Sequence, residues 1–436
     1  MPILYTFYGD DFTGSTDVLE QLGSNGIGAV LFLGAPAAEH LAAFPDVEAI
    51  GIAGDSRSRS AEWMSANLGA MFQVLKRFGA PVTHYKTCST FDSSPTCGSI
   101  GRAMEVGRQI FSPVVVPIVV GAPHLGRYVA FGNLFATDAD GLVRRIDRHP
   151  MSLHPVTPMH EADLRVHLAA QTSMRIGLID FVALLSGGGP EAGEALIASG
   201  HAAILFDTID SVSQLNAGLN IWKHSRTQPI FCAGSSGLTA ALIAAWRTLG
   251  MLNDVPPREP LAGSSPILAI SGSCSEKTRR QLEYAFAHGY RGIALDPEAL
   301  LDRGGVAYNL ALQEAAESLA QGRDTVLYTA LGPASGASPG SDLGVALGSL
   351  LRQLLSGTAR SSQPVRRVVI CGGDTSSHAV QQLELYALSW LANLRPGVPL
   401  CRGHADGELD GLEVVLKGGQ VGGDDFFQVV RGGRQS

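Results

Sequence analysis

Two adjacent carboxylates stand directly behind an apolar run: Gly9-Asp10-Asp11-Phe12-Thr13-Gly14-Ser15 follows residues 3–8. Either Asp10 or Asp11 can accept a substrate proton or hold hydroxyls. The Thr-Gly-Ser that follows opens a helix whose free N–H groups suit an anion. A plain helix cap uses the same residue types. With no residue between its acids, the pair does not fit the D-x-D-x-T arrangement of aspartyl phosphatases. Behind the run 49–53 comes Gly54-Asp55-Ser56-Arg57-Ser58-Arg59, where Arg57 suits a carboxylate and Asp55 suits hydroxyls. A solvated charged turn is the competing reading. A third cluster, from His84 to Pro95, gathers Lys86, Ser89 and Asp92 among further hydroxyls. The Gly234-Ser235-Ser236-Gly237 turn adds N–H groups that can hold an anion. These turns read as the wall of a site for a small polyhydroxy acid.

The second half carries a different chemistry. Ser271-Gly272-Ser273-Cys274-Ser275, Gly372-Gly373-Asp374-Thr375 and Lys417-Gly418-Gly419 each follow an apolar run. Small residues let backbone amides approach a phosphate, and a helix start assists. The trio predicts a nucleotide cradle assembled from separate loops. No Gly-Lys-Ser or Gly-Lys-Thr occurs, so this is not a P-loop protein, and no G-x-G-x-x-G follows the first apolar run. His149, His154 and His160 stand among prolines without a zinc-site spacing, and no metal is assigned to them.

The elements that must position these turns are legible from periodicity. Strands are expected at 3–8, 29–33, 49–53, 82–85, 114–120, 175–180, 203–206 and 229–232, then at 267–271, 292–295, 325–329, 367–371 and 413–417. Between them, 17–22, 61–77, 238–249 and 276–287 space apolar residues as amphipathic helices do. The alternation predicts an α/β protein of two domains, each a largely parallel sheet flanked by helices, with a cleft between them. The proline-rich stretch 252–266 separates a first domain at 1–251 from a second at 267–436. The chain is 45% apolar and only 17% charged, as well-buried α/β proteins are, and its net charge of −8 comes without a basic run. A nucleic-acid surface is excluded on that ground. The six scattered cysteines read as buried thiols. The N-terminus lacks a signal-peptide pattern and no run is long enough to span a membrane, so a cytoplasmic location is expected. Nothing argues against a homo-oligomer.

Tyr8–Gly14 (YGDDFTG), His149–Met159 (HPMSLHPVTPM), Ser271–Ser275 (SGSCS), Cys371–Thr375 (CGGDT) and Leu416–Gly419 (LKGG), in this order over nearly the whole chain, resemble the four-carbon acid sugar kinase family. The resemblance implies a sugar-acid-binding first domain, a nucleotide-binding second domain, and phosphorylation of the terminal hydroxyl of acids such as D-threonate, D-erythronate or 3-oxo-tetronate by ATP. Asp10 and Asp11 would then face the substrate with Asp55, Arg57 and Lys86. Ser271, the Gly372–Thr375 loop and Gly418 would contact ATP, with Mg²⁺ spreading the phosphoryl charge. Many members place an acid-Ser-Thr-Leu-Arg-Gly element after the lysine. Here the run is Lys86-Thr87-Cys88-Ser89-Thr90-Phe91-Asp92, without the early acid or the Arg, which brings in a related branched acid such as 3-oxo-isoapionate. A non-catalytic sugar-acid sensor would leave the second-half glycine turns without a purpose. A dehydrogenase lacks its dinucleotide fingerprint, and an aldolase lacks an isolated lysine beside a histidine.

Overall fold

Short apolar runs and amphipathic helices alternate in the computed structural model as their periodicities dictate. The structure describes residues 2–138, 140–154, 156–255, 261–332, 341–359, 361–395, 397–419 and 421–433. Part of the 252–266 stretch, residues 256–260, lies outside them. By internal contacts the chain forms two units, Met1–Ala29 with Ala42–Val255, and Val30–Leu41 with Pro256–Ser436. The division differs from the contiguous 1–251 reading at one place. The reason is strand pairing, described below.

The strands through the first half are β1 (Tyr5–Gly9), β2 (Ala29–Phe32), β3 (Ala49–Ala53), β4 (Val82–Lys86), β5 (Val116–Val119), β6 (Arg127–Ala130), β7 (Asn133–Thr137), β8 (Val143–Arg145), β9 (Ile176–Ile179), β10 (Ala203–Phe206) and β11 (Ile230–Gly234). In the first unit β3-β1-β4-β11-β5-β10-β9 form a parallel sheet. The register aligns Gly9 with Ala53 and with Lys86, and Lys86 with Gly234, so the turns singled out above leave the sheet at one edge. Helices cover the sheet with one apolar stripe each. The Ala61–Lys76 helix, capped by Ser60, buries Met64, Leu68, Phe72 and Leu75 at three- and four-residue steps. Each of those side chains stabilises the fold by about 1.5–3 kcal/mol. They pack with Tyr8, Tyr85 and Phe231 in one core. A small antiparallel sheet, β6-β7-β8, lies apart from the main one.

The second unit holds β12 (Ile267–Ser271), β13 (Arg291–Ala294), β14 (Thr325–Tyr328), β15 (Arg367–Cys371), β16 (Ala387–Arg395), β17 (Val398–His404) and β18 (Glu413–Lys417). Five of them, in the order β13-β14-β12-β15-β18, are parallel. The sheet continues antiparallel through β17 and β16 to β2, where Val30 to Phe32 pair with Leu388 and its neighbours. That pairing, with His40 stacked on Tyr386, places the segment Val30–Leu41 in the second unit. None of the six cysteines forms a disulfide, and Cys232, Cys371 and Cys401 are buried. No described helix is long and apolar enough to cross a membrane.

Candidate functional site

In the first unit the acids converge on Arg57. Asp10 ends β1, and its backbone ties two neighbouring turns together: its N–H donates to the Lys86 carbonyl at 2.9 Å and its carbonyl accepts from the Arg57 N–H at 3.0 Å. Gly9 lets the next helix start close by, since a Cβ there would lie 1.8 Å from Ser15 Oγ. Asp11 caps that helix by accepting from the Gly14 N–H, and its other oxygen accepts from Arg57 Nη1 at 3.0 Å. Arg57 also donates to Asp92 Oδ2 through Nη2 at 2.6 Å and Nε at 3.2 Å. Asp92, with its side chain fully buried, accepts further bonds from the Thr90 and Thr157 hydroxyls. Burial opposes ionisation of Asp92, but Arg57 and Thr90 outweigh it and hold the carboxyl below its usual range.

Asp10 stands in a different state. Only 4% exposed, its Oδ1 has no hydrogen-bond partner among the described residues. Burial and the neighbouring Asp11 push its carboxyl up to about 7, against the pull of Arg57 and Lys86. A carboxyl poised near neutrality with a free oxygen can take a proton from a bound hydroxyl. Lys86 is buried, with Nζ 4.0 Å from Asp17.

The sequence-derived set thus divides. Asp10, Asp11, Arg57, Lys86 and Asp92 come together. Asp55 is instead paired with Arg59 inside its own turn, and the half-buried Ser89 hydroxyl makes no hydrogen bond among the described residues. The Gly234–Gly237 turn is packed shut, with Ser235 capping onto Gly237 and donating to the Val120 carbonyl. Three residues around this cluster were not in the sequence-derived set. Thr157 donates its hydroxyl to Asp92 and its N–H to His154 Nδ1. Cys88 lies within the fields of both Arg57 and Arg127. Arg127 binds only the carbonyls of Leu125, Gly126 and Thr137, and no carboxylate pairs with it among the described residues. Thr157 belongs to the His-Pro segment that carried the family resemblance; Arg127 had no local signal. His149 and His154 accept backbone N–H bonds from Met151 and Thr157. No cluster of three or more His, Cys, Asp or Glu that could hold a metal ion occurs among the described residues.

In the second unit β12, β15 and β18 are neighbours, with Ser271, Cys371 and Lys417 in register. The three glycine loops therefore leave the sheet side by side. Ser275 caps the Glu276–Ala287 helix and donates to the Gly419 carbonyl at 2.6 Å, while Ser273 Oγ lies 3.0 Å from Thr278 Oγ1. A Cβ on Gly419 would lie 3.3 Å from Ser273 Oγ, so the loops already touch. Gly272 donates to the Cys371 carbonyl, and Gly372 to that of Lys417. Gly372 caps the Gly373–Gln381 helix at φ 114°, a conformation other residues rarely adopt. The backbone of Asp374 and Thr375 begins that helix; their side chains lie outside the described residues. The Ser271 hydroxyl is buried without a partner at the mouth of the cradle. Two helix starts and a buried free hydroxyl are groups that can bind phosphate oxygens. Gly372→Ala is expected to lower stability by about 1–3 kcal/mol through backbone strain, read by denaturant unfolding, and to weaken ADP binding in titration calorimetry.

Two family models match the chain in turn, a sugar-binding N-terminal domain over residues 5–242 and a nucleotide-binding C-terminal domain over residues 268–427. The 3-oxo-isoapionate kinase of Paraburkholderia graminis is 44% identical, across 99% of this chain and 95% of its own. The 3-oxo-tetronate kinases of Methylobacterium radiotolerans and Cupriavidus necator are 31% and 30% identical, across 96% of this chain and 96% and 94% of their own. Among solved structures, a Salmonella typhimurium LT2 protein matches with a TM-score of 0.77 at 24% identity over 99% of each chain. Haemophilus influenzae protein HI1011 matches at 0.73 and 24% identity, over 98% of this chain and 99% of its own. Both share the fold.

Proposed function

Because the chain belongs to the four-carbon acid sugar kinase family, we propose that it transfers the γ-phosphoryl group of ATP to a hydroxyl of a 3-oxo sugar acid, with 3-oxo-isoapionate preferred to 3-oxo-tetronate. The observation that carries the chemistry is Asp10, a buried carboxyl with a free oxygen held near neutrality beside Arg57 and Lys86. Asp10 takes the proton of the bound hydroxyl, the hydroxyl oxygen bonds to the γ-phosphorus, and ADP leaves with the bridging oxygen. Asp11 and Asp92 fix Arg57 beside the reacting group. Two acids already balance Arg57, so the substrate carboxylate falls to Lys86 and to Arg127, a guanidinium with no acidic partner among the described residues. The Ser89 hydroxyl is free to bind the sugar. Backbone amides of the second-unit glycine loops receive the phosphates. Mg²⁺ would arrive on the nucleotide's phosphate oxygens, since this ion takes few protein ligands, and would neutralise their charge.

The preference rests on relatedness, 44% identity to the isoapionate enzyme against 31% to the tetronate enzyme, and on the altered loop after Lys86. A coupled ADP-release assay over D-threonate, D-erythronate, L-threonate, 3-oxo-tetronate and 3-oxo-isoapionate tests it. The expected result is a kcat/KM for 3-oxo-isoapionate about tenfold or more above the rest, the scale of one small pocket difference. Equal or better turnover of 3-oxo-tetronate would overturn the preference. Silence with all five acids while ATP still binds would overturn the substrate class.

A further inference from the structure

Lys417 ends β18 and is 1% exposed. Its ammonium donates to Thr278 Oγ1 at 3.0 Å and to the Gly418 carbonyl at 3.1 Å, and sits 5.5 Å from the centre of the Phe426 ring. These are all neutral partners. An ammonium has three protons, and the third finds no acceptor among the described residues. No carboxylate pairs with it there either; beside it the Cys371 thiol group favours the charge and Lys277 repels it. Burial and that repulsion both work against the charged form. A buried cation whose described partners are all neutral is costly, and an anion arriving beside it would offset that cost.

Its position says which anion. Lys417 lies in register with Cys371, which lies in register with Ser271, at the end of the sheet where the three glycine loops leave. Thr278 Oγ1, its acceptor, is 3.0 Å from both Ser273 Oγ and Ser275 Oγ. The charge therefore stands behind Thr278, whose oxygen it occupies and whose own proton can then turn to Ser273 Oγ, while the Ser275 hydroxyl donates to the Gly419 carbonyl.

We propose that Lys417 is the positioning residue for nucleotide phosphate: its ammonium, acting through Thr278 and the Ser273 hydroxyl, makes the cradle select a phosphorylated nucleotide over the bare nucleoside. The proposal rests on the nucleotide-binding reading of the second unit. It predicts a division that a merely structural lysine would not produce. In Lys417→Met, ADP and ATP bind roughly 10–100-fold more weakly, the range for losing a hydrogen bond to a charged group. Adenosine affinity stays within about twofold, because the nucleoside carries no charge to lose. The ligand-free variant melts at or above the wild-type temperature, since an unpaired buried charge has been replaced by an apolar side chain.

Calorimetric titration of both proteins with ADP, ATP and adenosine, with thermal unfolding of each alone, tests this. Equal weakening of adenosine and ADP, unchanged ADP affinity, or a variant that melts below the wild type or fails to fold would each overturn the role. A measurement on the wild type stands independently of the variant. By NMR of isotopically labelled lysine, ADP should raise the titration midpoint of the Lys417 ammonium while adenosine leaves it in place; no response to ADP would overturn the proposal. If the wild type binds ADP and any of these results fails, the kinase reading survives and the role of Lys417 falls. A wild type that binds neither ADP nor ATP overturns both.

Discussion

Asp10→Asn is expected to lower kcat by roughly a hundred- to ten-thousand-fold, the range for removing a general base, while ATP affinity stays unchanged. The amide keeps the size and position of the side chain but cannot take the hydroxyl proton. Asp11→Asn should behave otherwise. Asp11 is committed to the Gly14 N–H and to Arg57; Asn keeps the cap but not the charge, so the change loosens Arg57 before it touches the proton transfer. The pH profile separates the two further. With the Asp10 carboxyl near 7, wild-type kcat/KM falls below about pH 7 as the base becomes protonated, and Asp10→Asn loses that limb. Stability moves in the opposite sense. A carboxyl raised above its unfolded value of about 3.9 stabilises the fold fully below that pH, and the contribution is lost as pH rises through about 7. Asp10→Asn should therefore be the more stable protein at pH 8, by thermal unfolding. Full activity in Asp10→Asn, with loss in Asp11→Asn, would transfer the base to Asp11.

The central parallel strands of both units were legible because they are buried on both faces and read as continuous apolar runs, as Ile267–Ser271 and Arg367–Cys371 do. The antiparallel pieces were not. In β16 buried and half-exposed positions mix without strict alternation, and β17 carries Pro399 near its start. The turn between β6 and β7 is written elsewhere in the chain. It consists of Phe131 at φ 51° and Gly132 at φ 81°, and a phenylalanine is not a turn residue. What holds it is the Asp207 carboxylate, which accepts from the N–H groups of Phe131 at 2.6 Å and Gly132 at 2.9 Å. Burial pushes that carboxyl up to about 6 in spite of those bonds. No reading of residues 127–137 alone could have found it.

The candidate site divides along the same line. Acids and glycines at strand ends are local signals, and Asp10, Asp11 and the three second-unit loops followed from them. Pairing is not local. Arg57 looks like a free carboxylate receptor in its own turn, yet the fold brings Asp11 and Asp92 onto it from the turns after β1 and β4. Arg127, with no acid paired to it among the described residues, comes from a strand that the periodicity did not reveal.

Asp92→Ala should destabilise the first unit by about 3–5 kcal/mol, because it strips the partner from a charge that cannot follow it into water. Asp92 is the one acceptor shared by Arg57, Thr90 and Thr157. Its removal takes the shared acceptor from Nε and Nη2 of Arg57 and from the Thr90 and Thr157 hydroxyls, and leaves Asp11 both to balance the guanidinium and to cap its helix. Asp92→Asn keeps the shape and one acceptor oxygen, so its cost is smaller, about 1–3 kcal/mol. The two variants together separate charge from packing. Denaturant unfolding gives the ordering, and pH gives the sign. Since Asp92 ionises below its usual range, its stabilisation is present above the unfolded value of about 3.9 and is lost as pH falls further, so wild type and Asp92→Asn should converge in acid. A difference that persists unchanged at low pH would mean that Asp92 stabilises through shape alone, and that Arg57 is held by something other than its charge.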